Sequence, residues 1–141
     1  MMNEDLIPRV LLTKSFIDSH DRAIKTIAVA LRDATMEVIL TDYETPEDIV
    51  RVAVEEDVDV IGISFMSGGQ VYVTTELMRL LFEAGSPELP VVVGGVIRPF
   101  DREEILQQGV SAIIQSGEKM ASIVEQFRSL ASQRRKALRN R

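Results

Sequence analysis

Strand-like and helix-like segments alternate five times along this chain of 141 residues, without a break. Two strands joined through a helix cannot close a hairpin, so they pair in parallel and the helix crosses one face of the sheet. Arg9 to Thr13 reads as the first strand, and in Asp21 to Ala34 the residues Ala23, Ile24, Ile27, Ala28 and Leu31 recur at helical spacing. Glu37 to Thr41 reads as the second strand. Thr45-Pro46-Glu47-Asp48 then combines a capping residue, a proline at the first helical position and acids in the first turn, which predicts a helix to about Asp57. Val58 to Ile63 is apolar enough for a strand buried on both faces. A helix through Leu77, Leu80 and Leu81 closes at Gly85, and Val91 to Val93 forms a fourth strand ended by Gly94 and Gly95. Asp101 to Gln108 is the fourth helix with Gly109 as its stop, Ala112 to Ile114 the fifth strand, and Glu118 begins a long last helix.

Such crossovers are right-handed. The expected fold is therefore α/β, and the compact size favours a flavodoxin-like, doubly wound five-stranded parallel sheet of order 2-1-3-4-5, with its ligand over the carboxyl ends of strands 1 and 3. No repeat or linker divides the chain, so residues 1–8 read as an N-terminal extension, 9–130 as one domain and 131–141 as a basic tail. That tail carries Arg134, Arg135, Lys136, Arg139 and Arg141, although the net charge is −6. An acidic body argues against nucleic acid as a partner, because phosphates demand clustered Lys and Arg. No apolar run is long enough for a bilayer, so no membrane partner is expected. The absence of cysteine excludes disulfides, zinc ribbons and a thiolate nucleophile. With Met1 to Asp5 lacking the features of a secretory signal, that absence favours the cytoplasm.

The loops that follow strands 1, 3 and 4 carry the unusual residues. His20, the single histidine, lies between strand 1 and its helix, with Asp18 two residues before it and Lys14 further back. A carboxylate that accepts one ring N–H fixes the tautomer and strengthens the other nitrogen as a donor to metal. One imidazole cannot make an all-protein zinc site, so it suits a metal that brings most of its own coordination, such as iron or cobalt in a macrocycle. On these residues alone Asp18 also reads as a turn former and His20 as a helix N-terminal residue. Ser64, Met66 and the Gly94-Gly95 pair add small or flexible residues where a backbone can approach a bulky ligand.

In order, Asp18-x-His20-x-x-Ala23, Ser64-x-Met66 and Gly94-Gly95 resemble the cobalamin-binding domain of the coenzyme B12-dependent mutases, whose pattern is Asp-x-His-x-x-Gly, Ser-x-Leu and Gly-Gly. The resemblance runs over roughly Arg9 to Val124, and Lys14, Asp18, His20, Asp21 and Arg22 all match the methylmalonyl-CoA and isobutyryl-CoA mutase group. Ala23 and Ser19 stand where that group has glycine, Ser15-Phe16-Ile17 where it has Pro-Gly-Leu, and Gln115-Ser116-Gly117-Glu118 where it has Gly-Pro-Gly-Thr.

The resemblance implies a corrinoid site in which the benzimidazole tail leaves cobalt and a histidine takes the lower axial position. Carried onto this chain, His20 ligates cobalt, Asp18 bonds the other ring nitrogen and Lys14 pairs with Asp18. Ser64 and Met66 line the tail channel, and Gly94 and Gly95 let the tail pass. Asp21, Arg22, Ala23 and Gly117 complete the expected cofactor-binding set. The implied cofactor is adenosylcobalamin, and the implied function is the small subunit of an acyl-CoA carbon-skeleton mutase. The substrate would be held by a separate large barrel subunit in a hetero-oligomer, leaving this chain inactive alone. A start at Met1-Met2, eight residues before the first strand, favours such a free-standing subunit. A non-enzymatic corrinoid carrier or sensor, and a flavodoxin-like interaction module without cofactor, remain the alternatives.

Overall fold

A computed structural model describes residues 7–140. Its elements are β1 (Arg9–Ser15), α1 (Arg22–Asp33), β2 (Glu37–Tyr43), α2 (Pro46–Glu55), β3 (Val60–Phe65), α3 (Gln70–Glu83), β4 (Val91–Gly95), α4 (Pro99–Gln107), β5 (Ala112–Ile113) and α5 (Met120–Arg139). The strands form one sheet in the order β2-β1-β3-β4-β5, every neighbouring pair parallel. This is the order expected for a parallel sheet of this compact size.

Side-chain alternation along each strand separates two cores. Leu11, Ile61, Ile63, Phe65, Val91 and Val93 face one way and pack with Ile49 and Ala53 of α2, Val73 and Leu77 of α3 and Ile105 of α4. Val10, Leu12, Val60 and Val92 face the other way, against Ile24, Ala28 and Leu31 of α1 and Ile123, Phe127 and Ala131 of α5. Burying each large side chain contributes about 1.5–3 kcal/mol, so the two apolar helix stripes hold the sheet between them.

Several boundaries differ from the sequence reading for identifiable reasons. β1 and β2 each extend by two residues because their register continues through Lys14 opposite Asp42 and Ser15 opposite Tyr43. Gly94 and Gly95 belong to β4, paired with Ser64 and Phe65, rather than ending the strand before them. Helix α4 starts at Pro99, where the missing N–H costs nothing. At α2, Oδ2 of Asp48 accepts the backbone N–H groups of Thr45 and Glu44 at 3.1 and 3.0 Å, which closes the first turn.

Of the N-terminal extension 1–8, residues 1–6 lie outside the described residues, as does Arg141 of the basic tail. The rest of that tail continues α5 through Arg139. Asp59, just before β3, is 2% exposed and explains the continuation. Its carboxylate receives Arg135 at 2.8 and 3.0 Å, Arg134 at 3.2 Å and the backbone N–H of Arg9 at 2.9 Å. No helix among the described residues is long and apolar enough to cross a membrane.

Candidate functional site

At the carboxyl ends of β3 and β4, the sheet face beneath α1 and α5 changes character. Upstream it carries Leu12, Val60 and Val92, but Gly62, Ser64 and Gly94 follow. Parallel register sets Gly62 between Leu12 and Val92, and Ser64 beside Gly94. Ser64 and Gly94 leave the carboxyl end of this face nearly bare and Gly62 lies close beneath Leu12 and Phe127, whereas the opposite face keeps Ile61, Ile63, Phe65 and Val93.

The missing side chains open a cleft of about 1360 Å³. Such a volume exceeds the ordinary range for small-molecule pockets, about 300–1,000 Å³. Ile24 and Ile27 of α1 line one wall, and Met120, Ile123 and Phe127 of α5 the other. His20, Asp21, Arg22, Ala23, Met66, Gly95 and Gly117 also line it, and most of its polar residues gather at the carboxyl edge of the sheet. The apolar body suits a bulky ligand, and the edge presents the groups able to orient it.

The β1–α1 loop is organised around Asp18, which is 4% exposed. Its Oδ1 accepts the backbone N–H of His20 at 2.8 Å and lies 2.7 Å from the ring Nδ1. Its Oδ2 accepts the N–H of Met66 at 3.3 Å, which ties this loop to the end of β3. Burial works against the Asp18 charge, but the hydrogen bonds from the His20 backbone, the His20 ring and Met66 outweigh it and hold the carboxyl below its usual range. Tyr43 lies near enough to feel that charge; burial first, and Asp18 second, push its hydroxyl up to about 12.

Lys14 departs from the expected pairing. Its ammonium donates to the main-chain carbonyl of Asp18 and makes ion pairs with Asp21 at 3.1 Å and Asp42 at 3.2 Å. The two carboxylate oxygens of Asp18 are engaged by His20 and Met66, so the lysine meets Asp18 through its backbone. Desolvation opposes the Lys14 charge, but Asp21 and Asp42 prevail and raise its pKa. Asp21, at the N-cap of α1, is held below its usual range by the Lys14 hydrogen bond despite a smaller opposing effect of burial.

The glycines divide by physical cause. A Cβ at Gly95, whose φ is +104°, would strike the backbone of Phe65, so that glycine is required by β3 itself. A Cβ at Gly94 would lie 3.3 Å from Cβ of Ile114, a tight fit on the cleft floor. Gly117 has φ +84° and open space around it, so it serves the turn before α5. Gly62 was not singled out by the sequence reading, yet a Cβ there would lie 2.7 Å from Leu12 and 3.0 Å from Phe127. A lone glycine inside an apolar strand was the available signal. Phe16 and Ile17 are 55% and 75% exposed and stand outside the cleft lining, so their bulk does not fill it.

No group of three or more His, Cys, Asp and Glu among the described residues is placed to hold a metal ion. The site can therefore offer a metal one imidazole bond, from Nε2 of His20, while Nδ1 is engaged by Asp18. A macrocyclic metal cofactor fits these residues on three counts: a buried carboxylate behind the imidazole, a sheet face stripped to Gly62, Ser64 and Gly94, and a cleft large enough for a long appendage.

Residues 8–125 match the family model of the B12 binding domain. Over 127 residues the chain is 42% identical to the 2-hydroxyisobutanoyl-CoA mutase small subunit of Aquincola tertiaricarbonis, covering 89% of this chain and 93% of that protein. It is 40% identical to the pivalyl-CoA mutase small subunit of Xanthobacter autotrophicus, covering 90% and 86% respectively. Methylmalonyl-CoA mutase of Escherichia coli is also 40% identical, and there the match spans 18% of the longer protein. Among solved structures, a cobalamin-binding protein from Desulfitobacterium hafniense superposes with a TM-score of 0.72 at 18% identity, covering 87% of this chain and 58% of that one. A receiver domain from Methanospirillum hungatei reaches 0.71 at 12% identity, covering 93% and 98%. Those two likenesses establish a shared flavodoxin-like fold, while the family match over residues 8–125 is of another kind: this chain belongs to the B12-binding domain family.

Proposed function

We propose that this chain is the cobalamin-binding small subunit of an adenosylcobalamin-dependent acyl-CoA carbon-skeleton mutase, acting in the cytoplasm with a separate, barrel-type large subunit as a hetero-oligomer. The observation that carries the proposal is His20, backed by buried Asp18, at the mouth of a cleft floored by Gly62, Ser64 and Gly94. The extended match to two relatives that are themselves named small subunits supports it further, since each is covered over most of its length.

In this reading His20 would hold the cofactor's cobalt through its ring Nε2. Asp18 keeps the proton on Nδ1 and orients the ring, Lys14 braces the loop, and the small residues of β3 and β4 admit the nucleotide tail. Asp21, Arg22, Ala23, Met66, Gly95 and Gly117 line the cleft. When bound, adenosylcobalamin supplies radical chemistry through cleavage of its cobalt–carbon bond. The chain's own part is to bind, orient and exclude water. A branched acyl-CoA of the isobutyryl, hydroxyisobutyryl or methylmalonyl type is held by the large subunit, which selects among them.

The test is reconstitution. The purified chain, its large subunit and adenosylcobalamin together should isomerise a branched acyl-CoA, and neither protein should do so alone. A large subunit fully active without this chain would overturn the proposal, as would an inactive mixture in which both proteins are folded and loaded.

A further inference from the structure

The ammonium of Lys14 has three N–H donors and meets three oxygens. It donates to the carbonyl of Asp18, and it lies 3.1 Å from Oδ1 of Asp21 and 3.2 Å from Oδ1 of Asp42. Two of these acceptors bracket His20 in the chain, Asp18 before it and Asp21 directly after it. The third comes from elsewhere. Asp42 stands on edge strand β2, opposite Lys14 in the parallel register.

Exposure shows which end of this bridge is constrained. The Lys14 side chain is 9% exposed and that of Asp42 51%. An exposed ion pair contributes little by itself. A buried ammonium is different, because each donor left without an acceptor carries a desolvation cost and the side chain shifts to recover one. With Asp42 removed, Lys14 would have to turn toward solvent or other acceptors, relaxing its hold on both ends of the turn that carries His20.

The geometry points to Asp42 as a positioning residue for His20: it fixes the Lys14 ammonium, and Lys14 fixes the turn from Asp18 to Asp21. This inference rests on the reading of His20 as an axial ligand and extends its support to the edge of the sheet. Asp42 is not among the residues that line the cleft.

Asp42→Ala in the full chain tests it, with Asp42→Glu as the conservative variant. The first readout needs no cofactor. The His20 backbone amide donates to Asp18, and its hydrogen exchange in Asp42→Ala should quicken about tenfold, as when a hydrogen bond to a charged group weakens local structure. The second readout is cob(II)alamin: the share of its electron paramagnetic resonance signal that carries the His20 nitrogen should fall, and affinity should drop about tenfold, the lower end for partners behind a metal-bound histidine. Asp42→Glu should restore part of both. On a Lys14→Met background, Asp42→Ala should change neither. Wild-type exchange and spectra in Asp42→Ala would overturn the inference, as would an undiminished effect without Lys14. A wild-type chain that binds no cobalamin would instead defeat the proposed function, and the exchange readout would still decide whether Asp42 holds the turn.

Discussion

Oδ1 of Asp18 meets His20 twice, at its backbone N–H and at its ring Nδ1, 2.8 and 2.7 Å away. An ionised carboxylate can only accept, so Nδ1 carries the proton, and in the neutral ring the lone pair lies on Nε2. The same carboxylate takes the N–H of Met66 on another loop, so the ring is aligned relative to the end of β3 as well as within its own turn. Orientation of the donor nitrogen is thus set by the protein's own hydrogen bonds.

The bare floor of the cleft gives a steric expectation. Ser64→Leu adds apolar bulk between two helices without burying a new polar group, so stability should hold or rise while cobalamin binding disappears. Thermal unfolding and a visible titration of the same sample check both halves. Full binding by a stable Ser64→Leu protein would place the ligand elsewhere.

Two glycines on the same rim should respond differently. Gly95→Ala combines φ +104° with a collision against the Phe65 backbone, and should cost at least about 2 kcal/mol. Gly117→Ala has φ +84° but open space, so only the left-handed penalty of about 1 kcal/mol remains. Urea unfolding of the two variants should rank them in that order.

These contrasts show what was legible in the sequence and what was not. The parallel sheet follows from the uninterrupted alternation and its strand order from the compact size, and Thr45-Pro46-Glu47-Asp48 marks the start of α2 because capping chemistry is local. His20 and Asp18 are two residues apart, so their pairing is local too. Lys14 and Asp42 are brought together by parallel register alone, which a linear reading does not supply. The arginines of α5 looked like a tail because Asp59 is 75 and 76 positions away from Arg134 and Arg135. Gly62 passed unnoticed inside an apolar run, since its meaning depends on Phe127 lying above it.

Asp59 offers a direct measure of that distant anchoring. Asp59→Ala leaves two arginines without their shared buried acceptor and should destabilise the protein by about 3 kcal/mol, with early hydrogen exchange in the last turns of α5. Retained stability would mean that these ion pairs do not hold the helix end.

The cap of α2 should appear in the acid limb of stability. The Arg51 hydrogen bond first, and the Glu44 and Thr45 N–H groups next, hold Asp48 below its usual range. Its folded pKa lies beneath the unfolded value of about 3.9, so its contribution is complete above that pH and is lost as the pH falls through the folded value. The difference in urea midpoint between wild type and Asp48→Ala should be flat from pH 7 to about 5 and shrink below about 4. A difference that persists unchanged at pH 2 would contradict this assignment.

Because His20 is the single histidine, it can be labelled alone. Electron paramagnetic resonance of cob(II)alamin bound to chain grown with nitrogen-15 histidine is the most direct measurement. If His20 is the axial ligand, the triplet splitting from nitrogen-14 becomes a doublet on labelling, and His20→Ala abolishes it. A triplet unchanged by the label would mean that the benzimidazole stays on cobalt, and the central role given to His20 would be wrong.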